Sequence, residues 1–145
     1  MIPSGEALSF HHLGLAVRGP KRARAFLEAI GYSVGSTVRD DLQGVHLAMA
    51  EHPSMPRVEI VWPTEEGGPL EAWLRSAPEL VYHVCYEVSD RQSALDTWKN
   101  AGAAIREVSP PKPAVLFEGR SVSFHLVAGI GLVELLERPH GERTS

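Results

Sequence analysis

The chain has 145 residues, of which 43% are hydrophobic and 22% charged, and it carries a formal net charge of −4. This composition is typical of a globular domain or of two small modules that share one sheet, and it offers no basic cluster for nucleic acid. One cysteine excludes an intramolecular disulfide, and no apolar stretch reaches the roughly 20 residues of a membrane helix, so we predict a cytoplasmic protein that binds neither nucleic acid nor membrane.

The first half of the chain predicts a strand, a helix and three further strands. Apolar residues alternate from Leu13 to Val17, and Pro20 then opens a helix that Gly31 ends. The three strands lie in "GYSVGSTVR", "QGVHLAMAE" and "PRVEIVWP". We expect the helix to bury a stripe of apolar side chains at helical spacing, which are Ala23, Phe26, Leu27 and Ile30.

The second half predicts the same order of elements. A strand in "VYHVCYEV" leads to Asp90, a good helix N-cap, and Gly102 ends the helix. Three strands follow, in "AAIREV", "RSVSFHLV" and "GLVELLE". Between the first two of them, "EVSPPKPAVLFEGR" is predicted to be a long loop, because proline donates no hydrogen bond to a ladder.

The spacing of the two halves suggests a duplication. His12 precedes Gly31 by 19 residues, His83 precedes Gly102 by 19 residues, and the offset between the two pairs is 71. We therefore predict two βαβββ modules of an α+β fold. The expected segments are an N-terminal extension (1–9), the first module (10–64), a linker with a short helix (65–79), the second module (80–137) and a tail (138–145).

Each module also carries one acid on its last strand. Glu59 lies between Val58 and Ile60, and Glu134 lies between Val133 and Leu135. Either glutamate alone is explained by a solvent-facing side chain, but on a buried face an acid is costly unless it is paired or binds a cation.

The two acids and the first histidine of each module form a pattern of four. If the modules are related by a pseudo-twofold axis, His12, Glu59, His83 and Glu134 meet in one cavity. Two nitrogens and two oxygens suit one divalent metal ion, and Co, Ni, Mn, Zn or Mg all remain open.

At these residues the sequence resembles the vicinal oxygen chelate superfamily, which includes glyoxalase I, bleomycin-resistance proteins and extradiol dioxygenases. "HHLGLAV", "VYHVCYEVSD" and "GLVELLE" resemble its repeat signatures, and Glu59 falls at its remaining ligand position. The inter-module segment with its tryptophan and the proline-lysine loop are most similar to the methylmalonyl-CoA epimerase family. The resemblance implies an open barrel of two modules around a metal site, in a homodimer.

The sequence departs from that family at two positions. The epimerases have glutamine where this chain has Glu59, whereas bacterial glyoxalase I has the same two histidines and two glutamates. The epimerases also carry a glutamate base on the strand "QGVHLAMAE", where this chain offers His46. We therefore interpret Glu59 or Glu134 as the catalytic base and His46 as a second proton carrier; a surface histidine is the alternative for His46.

Together with these residues, the resemblance implies a metal-dependent isomerase or epimerase that acts through an enolate. It implies as substrate a small acyl thioester of coenzyme A or a carrier, or another 2-oxo-type compound. Two alternatives stay open: a glyoxalase I-like lyase, and a non-catalytic binding or resistance protein. For three other polar residues we expect no role as ligand or catalyst. His11 is expected to point away from the site, Cys85 to line the cavity, and His125 to face solvent.

Overall fold

The computed structural model describes residues 8–139. It confirms the predicted α+β class, with three α-helices and nine strands in this part of the chain. In chain order the elements are β1 (Leu8–Val17), α1 (Lys21–Ala29), β2 (Ser33–Val34), β3 (Val38–Asp40), β4 (Val45–Glu51), β5 (Val58–Pro63), α2 (Leu70–Leu74), β6 (Glu79–Val88), α3 (Arg91–Asn100), β7 (Ile105–Pro113), β8 (Ser121–Val127) and β9 (Gly131–Glu137).

The described residues form two compact units. One is His12–His83, and the other consists of residues 8–11 and 84–139. The boundaries fall inside β1 and β6, because each of these strands contributes residues to both units. The module limits expected from the sequence, 10–64 and 80–137, stay a prediction. Residues 1–7 and most of the expected tail lie outside the described residues.

In the His12–His83 unit the strand order is β2-β4-β5-β1, and β3 pairs with β4. β1 and β5 are parallel, whereas β4 and β5 are antiparallel with Met49 opposite Glu59. Helix α1 covers one face of these strands. The hydrophobic core between the helix and the strands consists of Val17, Leu27, Tyr32, Ala50 and Ile60.

In the second unit the order is β6-β9-β8-β7. β6 and β9 are parallel, and the other two pairs are antiparallel. Helix α3 covers one face, over a core of Val88, Ala94, Leu95, Val133 and Leu135. Within each unit the path is linear, so neither unit alone is a closed barrel.

The predicted loop through the prolines is wrong in its first half. β7 continues to Pro113, with irregular register between Glu107 and Ser109 and again between Ser109 and Lys112. Among the residues of this unit β7 pairs only with β8, so it is an edge strand. Edge position and bulges are what allow prolines in a strand, because the missing N–H groups need no partner there.

The two long helices differ from expectation in one respect. Asp90 caps α3 as predicted, accepting a hydrogen bond from the Ser93 amide at 2.9 Å. In α1 the predicted buried stripe is confirmed for Leu27, which is buried, and for Ala23, which packs against the core. It is wrong for Phe26 and Ile30, which are 64% and 41% exposed, so the buried face of the helix is narrower than its apolar pattern suggests.

The other predicted elements are present with small changes. "GYSVGSTVR" forms two short strands, β2 and β3, instead of one. The inter-module helix α2 buries Leu70 and Leu74 and leaves Trp73 half-buried. Among residues 8–139, none of the helices combines the length and the apolar character needed to cross a bilayer.

Candidate metal centre

Two buried histidine rings meet in the His12–His83 unit. β1 carries His12, which is 0% exposed, and β6 carries His83, which is 3% exposed. Their Nε2 atoms lie 3.1 Å apart and their rings meet at 76°. Both rings therefore direct the same nitrogen toward one point, as a shared metal ion would require.

Glu59 adds a carboxylate to the two rings. It lies on β5 opposite Gly14 of β1, and it is 3% exposed. Its Oε1 is 3.5 Å from His12 Nε2 and 3.7 Å from His83 Nε2. A buried carboxylate is costly without a cationic partner, so the burial of Glu59 between two imidazole rings favours a cation at this point.

The three donor atoms pass a geometric test for a metal ion. Given their mutual distances of 3.1, 3.5 and 3.7 Å, the point equidistant from all three lies about 2 Å from each. Bonds from divalent zinc to imidazole nitrogen or carboxylate oxygen are about 2.0–2.2 Å. His12, His83 and Glu59 thus match the spacing of ligands around one small divalent ion.

Gly14 is a site residue that sequence reasoning missed. A Cβ built on Gly14 would overlap the His83 ring, so the absence of a side chain on β1 leaves the space that this imidazole occupies. A glycine inside a strand often marks such a close approach, and Gly14 in "HHLGLAV" was the available signal.

Glu134, the fourth predicted ligand, belongs to the second unit. It lies on β9 opposite Cys85 of β6 and Phe124 of β8, and it is 2% exposed. A solvent-facing side chain, the plainer interpretation of both glutamates, is therefore excluded for Glu134 as it is for Glu59.

His46, the predicted second proton carrier, is not brought to the cluster. Along β5, Trp62 lies three positions after Glu59, so the two side chains point to opposite faces. His46 pairs with Trp62 in an unbroken register and its ring lies 5.6 Å from the indole. Its Nε2 is 3.9 Å from the exposed Glu65 carboxylate, so His46 lies on the face away from Glu59.

Three other polar residues complete the comparison with the sequence. His11 is half-buried with its ring edge-on to Phe117 at 5.2 Å, and His12 is the histidine that joins the cluster. Cys85 is fully buried. The expectation that His125 faces solvent is wrong, because it is 2% exposed and its Nε2 lies 2.9 Å from Ser123 Oγ. Burial lowers the pKa of His125 below its usual value, and Arg91 and Lys99 act in the same direction against Glu107.

The sequence matches one protein family over most of its length. The model of the glyoxalase/bleomycin resistance protein/dioxygenase superfamily matches residues 11–124. The chain is also 31% identical, over 104 residues, to the ethylmalonyl-CoA/methylmalonyl-CoA epimerase of Cereibacter sphaeroides. That alignment covers 70% of this chain and 77% of the epimerase.

Solved structures share the fold. A hypothetical protein of Bacillus halodurans superposes with a TM-score of 0.77 at 20% identity, covering 95% of this chain and 99% of its own. A Streptomyces coelicolor methylmalonyl-CoA epimerase variant, in complex with 2-nitronate-propionyl-CoA, superposes with a TM-score of 0.72 at 22% identity. It covers 95% of this chain and 100% of its own.

Proposed function

Because the chain belongs to the glyoxalase/bleomycin resistance protein/dioxygenase superfamily, we propose that it is a metal-dependent epimerase of a coenzyme A thioester. The observation that carries the proposal is the buried cluster of His12, His83 and Glu59, whose donor atoms lie 3.1 to 3.7 Å apart. The likeness to the Cereibacter sphaeroides epimerase supports the thioester as substrate class.

In this proposal His12, His83 and Glu59 hold one divalent ion, and Glu134 supplies a fourth ligand. Support for Glu134 comes from its burial and from its place on the last strand of the second half, which matches the place of Glu59 in the first. Two imidazoles and two carboxylates suit Co, Ni, Mn, Zn or Mg. When bound, such an ion supplies the positive charge that makes a proton beside a carbonyl more acidic.

Epimerisation needs a group that removes the α proton of the thioester and one that returns a proton to the same carbon from the other side. Glu59 and Glu134 are the buried carboxylates that we propose for these steps, because a carboxylate in a site without bulk water can accept and return a proton. The position of His46 on the other face of β4 removes the support for its role as a second proton carrier.

A glyoxalase I-like lyase is the second candidate. It is favoured by one observation, the buried glutamate at position 59, since the epimerases that the sequence resembles have glutamine there. Both reactions begin with removal of a proton beside a carbonyl, so the identity of the thiol and of the acyl group separates them. A protein that binds a ligand without chemistry is the third outcome that experiment can reveal.

The proposal predicts that His83→Ala abolishes metal binding. The substitution removes His83 Nε2, one of the three donor atoms of the cluster, and leaves only His12 and Glu59 at this point. Elemental analysis of protein refilled with Co, Ni, Mn or Zn is expected to show about one ion per wild-type chain and almost none in the variant. His52→Ala is the matched control, because His52 lies in the loop after β4 and contacts Tyr32 and Ser54. Wild-type protein that retains none of the four metals contradicts the proposal.

The same pair of variants tests the reaction. In deuterated water, wild-type protein is expected to introduce deuterium at the α carbon of methylmalonyl-CoA, and His83→Ala is expected to slow this exchange at least a hundredfold while His52→Ala leaves it unchanged. Exchange with a glutathione hemithioacetal alone would select the lyase. Absence of exchange with any thioester, together with tight binding of an unrelated small molecule, would select the binding protein.

Assembly as a homodimer and a cytoplasmic location stay predictions.

A further inference from the structure

The orientation of the His83 ring depends on its neighbours. The outer side-chain torsion of a histidine has only a broad, roughly two-fold preference, so the rotamer alone does not decide where Nε2 points. Two neighbours of this ring, His12 and Glu59, belong to the candidate metal centre itself. Gly14 leaves the space that the ring occupies, and Tyr82, the preceding residue on β6, contacts the ring directly. Residues outside the cluster therefore help to set the direction of His83 Nε2.

Tyr82 meets the His83 ring edge-on. The ring centres lie 4.5 Å apart and the ring planes cross at 81°. Aromatic rings attract one another in this T-shaped arrangement, because the positive edge of one ring faces the negative face of the other. Successive side chains of a regular strand point to opposite faces, so contact between these two neighbours is not a property of β6 alone. It depends on what packs against Tyr82.

Helix α2 supplies that packing. The Trp73 ring lies 6.1 Å from the Tyr82 ring at an angle of 54°, and both side chains are half-buried. α2 is itself anchored, because Leu70 and Leu74 are buried and Arg18 donates a hydrogen bond to the Leu74 carbonyl oxygen at 3.2 Å. Within one unit, a continuous set of contacts thus runs from α2 through two aromatic rings to the histidine ring.

We propose that Tyr82, held by Trp73, positions His83 Nε2 for the metal ion. The inference rests on the proposed function, because it takes His83 as a metal ligand. Losing a group that orients a metal ligand typically lowers metal affinity tenfold to a hundredfold. An edge-on ring contact is weaker than the hydrogen bond that usually has this role, so we expect an effect at the lower end of that range. Tyr82 is thus a positioning residue that acts through its ring and not through its hydroxyl group.

The test compares Tyr82→Leu with Tyr82→Phe, which keeps the ring. Tyr86→Leu is the matched control: Tyr86 lies on the same strand, is also half-buried and also meets an aromatic ring edge-on, but that ring is Phe10 at 6.4 Å. Zinc affinity is measured by competitive chelation, and the visible absorption spectrum of the cobalt-loaded protein reports the geometry of the ligands. Urea unfolding of the metal-free proteins measures how much stability each substitution removes by itself.

Tyr82→Leu is expected to lower zinc affinity about tenfold and to change the cobalt spectrum. Tyr82→Phe and Tyr86→Leu are expected to keep the wild-type spectrum and an affinity within about twofold of wild type. Trp73→Leu leaves the Tyr82 ring without its support and is expected to lower zinc affinity about threefold. It takes the place of Tyr82→Leu if that variant does not fold.

Three results would overturn the inference. Unchanged affinity and spectrum in Tyr82→Leu would show that the His83 ring needs no such contact. An equal loss in Tyr82→Phe would assign the effect to the hydroxyl group, and an equal loss in Tyr86→Leu would assign it to general loss of packing. A wild-type protein that retains no metal would contradict the proposed function, and the inference would fail with it.

Discussion

Buried histidines occur in both units of the molecule, and they have different surroundings. In the His12–His83 unit two rings face each other and a carboxylate, with the three donor atoms within 3.7 Å. In the other unit His125 is equally buried, but its Nε2 faces the neutral hydroxyl of Ser123. Burial by itself therefore does not mark a metal ligand. Convergence of a second and third donor on the same point does.

After His83→Ala, the largest expected effect that separates the two units comes from Gly14→Ala. The new methyl group would overlap the His83 ring and move its nitrogen from the shared point, without touching His125. We expect metal affinity to fall about tenfold to a hundredfold, as happens when groups that orient a metal ligand are lost. Gly19→Ala is the matched control. Gly19 lies between β1 and α1, and a Cβ there would meet no atom within 4 Å.

Titration by competitive chelation measures both affinities. Equal metal affinity of the Gly14→Ala and Gly19→Ala proteins would show that the His83 ring can move aside at no cost. The role of Gly14 in holding the site open would then be wrong.

The second test concerns the pH dependence of stability. Burial lowers the pKa of His125, so in the folded protein this ring stays neutral at a pH where the unfolded chain already binds a proton. His125 therefore destabilises the folded protein at low pH. This loss of stability is absent above the unfolded-state pKa of about 6.5 and grows as the pH falls below it, by at most about 1.4 kcal/mol per pH unit. His125→Gln is expected to flatten this loss between pH 7 and 5.

The measurement is urea unfolding of the wild-type and His125→Gln proteins at matched pH values, with metal removed from both by chelation. The difference between their slopes isolates His125 from the other histidines. Parallel slopes in the two proteins would mean that His125 is protonated as easily in the folded state as in the unfolded one.

The smallest effect is expected at the start of α3, the helix that covers the face of β8 and β9 on which His125 lies. Asp90→Ala removes the acceptor of the Ser93 amide and is expected to lower the free energy of unfolding by about 1 kcal/mol. Asp96→Ala, on the same helix and away from the cap, is the control.

Metal retention at pH 7.5 is expected to be the same in the wild-type, Asp90→Ala and Asp96→Ala proteins, because a loss of about 1 kcal/mol leaves a stable protein folded. A loss of metal in Asp90→Ala alone would show that the helix cap contributes to the metal site.

The candidate site could be proposed from the sequence because its residues recur at a regular spacing. His12 and His83 lie 71 residues apart, and the acids each occupy the middle of an apolar strand. Gly14 within a strand signalled a close approach, but the sequence does not show that the approaching side chain is His83. His46 was misplaced for a similar reason: alternation shows which residues share a face with it, but only the register with β5 shows which face Glu59 takes.

The sequence by itself determined the α+β class, the superfamily and the order of most strands and helices. It also predicted His12, Glu59 and His83, whose donor atoms lie within 3.7 Å of one another, as part of a set of four ligands. These properties follow from local preferences, from periodicity and from the repeated pattern, which are written along the chain. Only the tertiary structure decided that His46 lies away from Glu59, that Phe26 and Ile30 are exposed and that β7 runs through its prolines. Each of these depends on which strand or helix packs against the segment, and the local sequence pattern of a segment does not specify that partner.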